Sequence, residues 1–373
     1  MKALHSLVAV LFTVALHAQI PKVSKGTIVR IDSFPSASIA KRNIDVWLPP
    51  GYPEAGRYDV LYMHDGQMLF DSTITWNKQE WKVDETLARL MAAKKIRPLI
   101  VVAIPNDGAR RFAEYFPQAA AGMLSPTAKD SLQKEVGGDF LADAYLYFIV
   151  NELKPYIESA FSVHRSKEHT FLAGSSLGGL ISMYGLCSYP HIFGGAACLS
   201  THWPGSLQRI TDRDNPIPGA LARYMAANLP PKGSCVLYMD RGDKTLDSFY
   251  ASYQPLIDKI VRAKGYKART FSSRIFPGAD HSEKAWANRF EEIPATKDPE
   301  PLKQDVASHP GCEFTIWPLH GYQACIPGGM RTYHNVVTLC RRAPGRMRPA
   351  HQLANFHTYC SCRHNDPLVV SEA

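Results

Sequence analysis

At 373 residues, with 45% hydrophobic and 20% charged side chains, the chain has room for one large domain with appendages or for two ordinary ones. That composition excludes a wholly disordered or collagen-like protein. Lys and Arg number 42 against 34 Asp and Glu, but the basic residues are scattered. Nucleic-acid binders gather them on one stripe or arm with aromatic residues between, so no nucleic-acid partner is expected.

Lys2 is followed by an apolar run over residues 7–16 and then by His17, Ala18 and Gln19. This is the layout of a signal peptide, expected over residues 1–18 with cleavage after Ala18. A run of about ten apolar residues is half of the roughly 20 needed to span a bilayer. The mature chain is therefore expected to be secreted or periplasmic, without stable membrane insertion.

From residue 23 to about 276 short β-rich runs alternate with helical patterns, the signature of a mainly parallel sheet covered by helices on both faces. Strands are predicted at 26–31, 43–48, 59–63, 99–104, 170–173, 195–199, 235–239 and 270–276, the first two as an antiparallel edge. The continuous apolar run at 99–104 suits a strand buried on both faces. Helices are predicted at 81–93, 140–160, 177–189, 218–227 and 246–264, where apolar residues recur three and four apart. Between them, residues 106–138 are rich in Gly, Ala and Pro and are read as a long loop acting as a lid or substrate-side excursion. Cys187, Cys198 and Cys235 lie inside apolar segments and are expected as buried small hydrophobes.

After residue 290 the alternation fades, and from 304 onward the chain has six Arg and no Lys. Residues 291–373 are read as an irregular tail without helix or strand ladder, disordered or the product of a shifted reading frame. The rival reading is a small metal-binding appendage built on His357, Cys360, Cys362 and His364, although their spacing departs from that of zinc sites. No metal site is assigned.

The chemistry-bearing pattern is Gly174-Ser175-Ser176-Leu177-Gly178-Gly179. A nucleophile elbow needs a strand, a sharp turn and a helix so that the serine hydroxyl projects above the sheet, with small neighbours clearing the crowded backbone. The predicted strand at 170–173 and helix at 177–189 supply that context for Ser176, while Ser175 should point elsewhere. In α/β-hydrolase folds the acid and the histidine follow the serine in that order. Of the 14 histidines, His281 lies in the loop after the last predicted strand, placed to take and return the serine proton. The acid is sought in Asp240-Arg241-Gly242-Asp243-Lys244-Thr245-Leu246-Asp247, with Asp247 as first choice and Asp243 as alternative. Either aspartate has a competing use as a helix cap. Backbone donors for an oxyanion are expected from Leu177 and from the turn after strand 59–63, at Gly66 or next at Gln67.

These residues resemble the putative esterase family, which includes esterase D, enterochelin esterases, feruloyl and acetylxylan esterases and the mycolyltransferases. The similarity runs over residues 44–289. It is carried by Val46-Trp47-Leu48-Pro49-Pro50-Gly51-Tyr52, by Leu61 through His64-Asp65-Gly66-Gln67 to Asp71, and by Arg111, Glu114 and Tyr115. It continues through residues 174–179 and 240–247 and through 278–289, with Glu283 and Trp286. The resemblance implies an α/β-hydrolase fold and a Ser176, Asp247, His281 hydrolase of carboxylic esters that needs no cofactor. It also implies a closing helix after His281, the stretch where the family pattern stops.

The expected substrate is a small-molecule, siderophore-type or carbohydrate-linked ester bound beneath the 106–138 excursion. Arg111, Tyr115, Trp76 and Trp203 are the candidate substrate contacts. An acyltransferase to a sugar or other alcohol, and a non-catalytic secreted binding protein, are the rival readings.

Overall fold

The computed structural model describes residues 19–293 and, beyond them, the backbones of four strands within 312–342. The signal-peptide expectation for 1–18 and the His357, Cys360, Cys362, His364 cluster lie outside the described residues. The chain divides into two compact units, Met1–Asp298 and Pro299–Ala373.

The first unit is built on an eight-stranded sheet: β1 (Thr27–Phe34), β2 (Arg42–Leu48), β3 (Asp59–His64), β4 (Leu99–Ile104), β5 (Thr170–Ser175), β6 (Gly195–Leu199), β7 (Val236–Arg241) and β8 (Phe271–Ile275). Their order is β1-β2-β4-β3-β5-β6-β7-β8. The β1–β2 and β2–β4 pairs are antiparallel and every later pair is parallel. This is the mainly parallel sheet expected from the alternation of runs, in the α/β-hydrolase fold that the resemblance implies.

Why the central strands are continuously apolar is visible in where alternate residues go. Val60 and Tyr62 of β3 join Ile100, Val102 and Ile104 of β4 in the core on one face, while Leu61 and Met63 join Leu99, Val101 and Ala103 on the other. Both faces are covered, so neither parity is polar. The strand β1 runs three residues beyond its predicted end because a bulge between Ile31 and Phe34, with Ser33 at φ 47°, lets pairing resume at Phe34↔Arg42.

The helices are α1 (Val83–Ala92), α2 (Arg111–Tyr115), α3 (Gln118–Ala121), α4 (Pro126–Glu135), α5 (Ala142–Tyr147), α6 (Lys154–Ala160), α7 (Leu177–Ser188), α8 (Ile217–Asn228), α9 (Gln254–Ala263) and α10 (Glu283–Ala287). In α7 every residue but Ser188 is buried, as expected of a helix wedged between the sheet and an outer layer. Two long predicted helices are broken, each at a proline. Between α5 and α6 a π segment, Phe148–Leu153, precedes Pro155, and a 3-10 stretch, Thr245–Ser252, precedes Pro255 at the start of α9. Proline has no N–H to give to the preceding turn, so the register slips there.

The 106–138 segment is not a loop. A 3-10 turn (Gly108–Arg110) and helices α2, α3 and α4 fill it, and Ala113, Tyr115, Phe116, Ala120, Ala121 and Leu132 enter the core. Its prolines sit where helices tolerate them, Pro117 as an N-cap and Pro126 in a first turn, and its alanines are helix formers.

The first unit also runs past the boundary expected at 290, with Phe290 and Ile293 buried. The three body cysteines are buried and free. Among the described residues no helix is long and apolar enough to cross a membrane.

The second unit contradicts the expectation of no strand ladder. In it β9 (Cys312–Ile316) pairs antiparallel with β12 (Thr338–Arg342), and β10 (Tyr322–Ile326) with β11 (Gly329–Tyr333).

Candidate active site

Strand β5 ends at Ser175 and α7 begins at Leu177, leaving Ser176 alone at the turn with φ 57° and ψ −122°. A non-glycine residue at positive φ costs about 1–3 kcal/mol and persists only where its surroundings over-determine it. Here the Ser176 N–H donates to Leu199 O at 3.0 Å, and Ser176 O accepts from the N–H groups of Gly179 and His202, both at 3.1 Å. The glycines are required by space. A Cβ on Gly174 would lie 2.7 Å from Gly178 O, and one on Gly179 would lie 2.6 Å from Thr201 Oγ1. Ser175 is buried in the strand, away from the turn. Leu177 opens α7, so its N–H has no carbonyl within the helix.

The structure brings His281 and Asp247 together, with Nδ1 of the ring 2.6 Å from Oδ1 of the carboxylate. Asp247 is fully buried. Its Oδ2 accepts from Gly242 N–H at 2.5 Å and from the Ser200 hydroxyl at 2.6 Å. Ser200 Oγ in turn accepts from Trp286 Nε1 at 3.0 Å and from Arg289 at 2.7 Å. The same guanidinium holds Asp240 through two bonds of 3.1 Å. The His281 backbone is pinned by its N–H to Thr245 Oγ1 at 2.9 Å, and Ala279 O accepts from both Asp243 and Lys244 N–H at 3.0 Å. Asp243, the alternative acid, accepts instead from Gly278 N–H at 2.8 Å. The His281 ring meets Trp286 and Tyr250 edge-on, with centroids 5.0 and 5.8 Å away.

At the end of β3, Asp65 takes the left-handed conformation at φ 56° and opens the 3-10 turn Gly66–Met68. Gly66 is required there because a Cβ would lie 2.5 Å from Ile104 N. The turn's own bond runs from Met68 N–H to Asp65 O, so Gly66 and Gln67 carry the N–H groups that a helical turn leaves over.

Arg111 binds both Asp65 oxygens at 2.7 Å, and Asn106 adds a third bond of 2.7 Å. Burial works to raise the Asp65 carboxyl, but Arg111 and Asn106 outweigh it and hold it below the usual range. His64 beside it is buried, with Nδ1 on Tyr145 OH at 2.8 Å. Desolvation pushes its pKa down to about 4.

The candidate substrate contacts separate. Trp76 is 83% exposed, on a loop fastened to the start of α10 by Asn77 to Glu283 at 2.7 Å and by Lys284 N–H to Gln79 at 3.1 Å. Trp203 is 1% exposed and bonded to Gln254, and Tyr115 is fully buried, accepting from Asp65 N–H. Both are corrected from substrate contacts to core supports, the ordinary place for a large aromatic with a polar handle. Arg111 serves first as the clamp on Asp65. The cleft along α4 is lined by residues such as Glu135, Arg209 and Ile217 and contains none of Ser176, Asp247 and His281.

Four residues of this neighbourhood escaped the sequence reading: Ser200, His202, Tyr250 and Arg289. Ser200 and His202 directly follow β6, and the carboxyl ends of parallel strands are where α/β sheets place their sites. That position was the available signal. His202 is buried, with Nδ1 2.8 Å from Tyr250 OH, and desolvation followed by the nearby His281 lowers its pKa to about 3. Among the described residues one grouping of metal-ligand side chains occurs, Asp59, His164 and His169, at the far end of β3. The Asp59 oxygens are already occupied there by His169 and Arg97.

A family profile described as Putative esterase matches residues 36–296. The uncharacterized protein YbbA of Bacillus subtilis (strain 168) is 25% identical over 251 residues, which cover 67% of this chain and 89% of that protein. Among solved structures, a ferulic acid esterase superposes with a TM-score of 0.52 at 18% identity, over 73% of this chain and 97% of its own. The enterobactin esterase FES from Shigella flexneri superposes with a TM-score of 0.51 at 17% identity, over 73% of this chain and 59% of its own. At such identities the likeness is one of fold.

Proposed function

Because the chain belongs to the putative esterase family, and so to the ester hydrolases, we propose that it cleaves carboxylic esters through an acyl-enzyme on Ser176. The observation that carries this reading is the His281–Asp247 bond of 2.6 Å, made by residues that follow the Ser176 elbow in the order acid then histidine. With Nδ1 committed to Asp247, Nε2 is the ring nitrogen left to act as base.

In the proposed reaction Ser176 Oγ bonds to the ester carbonyl carbon while its proton passes to His281 Nε2. The bond to the alcohol oxygen then breaks, and His281 returns the proton to the departing alcohol. Water repeats the sequence: its proton goes to His281, its oxygen to the acyl carbon, and Ser176 Oγ leaves with the proton. Leu177 N–H and one N–H of the Gly66–Gln67 turn receive the oxyanion, each worth about 3–4 kcal/mol of barrier.

Trp76 offers an exposed aromatic face on the loop tied beside His281, suited to an aromatic acid or a sugar ring. Feruloyl, siderophore-type and short-chain esters are the classes to test. The reaction is proposed to run outside the cytoplasm on the strength of the 1–18 pattern, which cell fractionation checks.

Ser176→Ala should abolish p-nitrophenyl acetate turnover and fluorophosphonate labelling while leaving the unfolding midpoint within a few degrees of the parent. Turnover retained by that variant would refute the assignment.

A further inference from the structure

The nucleophile has a second neighbour that this mechanism does not use. Tyr250 is fully buried in the 3-10 stretch that also carries Asp247. Its hydroxyl lies 2.8 Å from His202 Nδ1; burial pushes the phenol's pKa up, and the nearby Ser176 side chain pulls against that push. Its ring edge packs on His281. His202 is itself locked to the elbow, its N–H donating to Ser176 O at 3.1 Å. The phenol oxygen is thus held beside the Ser176 elbow by the buried imidazole of His202, just past β6, while the phenol ring packs on that of His281.

Resting on the acyl-enzyme reading, we infer that Tyr250 is a further catalytic residue, a hydrogen-bond donor to Ser176 Oγ that acts chiefly when that oxygen is expelled in deacylation. In the free enzyme Ser176 Oγ is a hydroxyl and satisfies Tyr250 or His281 as donor. Once acylated, it is an ester oxygen with no proton and weak accepting power. As the C–Oγ bond breaks, negative charge collects on Oγ, and a donor already in place gains strength in the transition state over the ground state.

In the tautomer this role needs, His202 Nδ1–H donates to the phenol oxygen, which stays anchored while its own O–H points at Oγ. Tyr250 keeps its proton throughout, and the proton that restores Ser176 comes from His281. His202 remains neutral near pH 7, since burial lowers its pKa to about 3, and so brings no charge to the nucleophile.

The partition between the two half-reactions tests this. Stopped-flow turnover of p-nitrophenyl acetate, with rates expressed per fluorophosphonate-labelled site, should show Tyr250→Phe deacylating about tenfold more slowly while acylation changes less than threefold. The nitrophenol burst should then approach one per site, and the acetyl-enzyme should accumulate in intact-mass spectra. His202→Leu should behave like Tyr250→Phe, and His202→Asn, which keeps a polar anchor at the Nδ1 position, should restore most of the deacylation rate.

A Tyr250→Phe enzyme that slows both steps equally, or neither, overturns the proposal. A variant that folds poorly lowers the labelled titre and leaves the ratio of rates readable. If the parent protein itself never labels at Ser176, the serine-esterase reading fails instead, so the two failures are distinguishable.

Discussion

Replacing Arg289 by Met removes a 2% exposed guanidinium that holds the fully buried Asp240 through two bonds of 3.1 Å. Methionine fills most of the volume, so the cost is electrostatic. Asp240 keeps only Tyr238 OH at 3.0 Å and Ser200 N–H at 3.3 Å. Burial already raises its carboxyl against the pull of Arg289, and without that pull it protonates. Protonating at pH 7 a group whose unfolded pKa is 3.8 costs at most about 1.36 × 3.2, roughly 4 kcal/mol, in line with about 3–5 kcal/mol for breaking a buried pair.

The penalty follows the unfolded carboxylate, so it should shrink to about 2 kcal/mol at pH 5. Urea unfolding followed by tryptophan fluorescence, with Arg289→Met compared to the parent at both pH values, measures it. Arg289→Met/Asp240→Asn should regain more than half of the loss. A destabilisation under 1 kcal/mol at pH 7, or a double variant no better than the single one, would refute the reasoning.

Asp247→Asn should lower kcat for a nitrophenyl ester by about 10⁴-fold, because an amide stabilises the wrong ring tautomer, whereas Asp243→Asn should stay within tenfold; equal losses would reassign the acid. Gly174→Ala places a methyl 2.7 Å from Gly178 O, and thermal unfolding should show a loss of at least about 2 kcal/mol, with an unchanged midpoint arguing against the elbow packing. His64 and His202 have folded pKa values of about 4 and about 3, below the ordinary 6.5. The unfolded chain therefore gains protons first, and stability is lost as pH falls from about 6.5 towards 4, by about 3 kcal/mol per ring. His202→Asn should lower the slope of stability against pH in that window by about one proton, and an identical slope would show that His202 titrates normally in the folded protein.

The central strands were legible because burial on both faces makes them continuous apolar runs, as in β3 and β4. Ser176 was legible because a strand, a small-residue turn and a helix are local in sequence. The helical character of 106–138 was hidden by reading Pro117 and Pro126 as loop signals, when both open helices. Trp203 and Tyr115 were misplaced because an aromatic side chain looks the same in sequence whether it faces a ligand or a core.

The joint role of Ser200, Asp240 and Arg289 was not legible, because they lie 40, 49 and 89 residues apart in sequence. Only the adjacency of β6 and β7 and the return of α10 bring them within 3.1 Å of one another's polar atoms.

That buried cluster also fixes which proton the histidine carries. Indole N–H and guanidinium are donors only, so the bonds from Trp286 and Arg289 to Ser200 Oγ consume its two lone pairs. The single proton of Ser200 must then point at Asp247 Oδ2, which Gly242 N–H also reaches. With Oδ2 supplied by two donors, Oδ1 faces His281 Nδ1 at 2.6 Å and takes its N–H. In the neutral ring Nε2 is then the nitrogen without a proton, the state that the proposed attack by Ser176 needs. The direction of every bond in this chain is set at Trp286 and Arg289, a turn apart on and just past α10. The segment after His281 would therefore act on the proposed chemistry through proton placement as well as through the packing of Trp286 and Phe290 on Trp81.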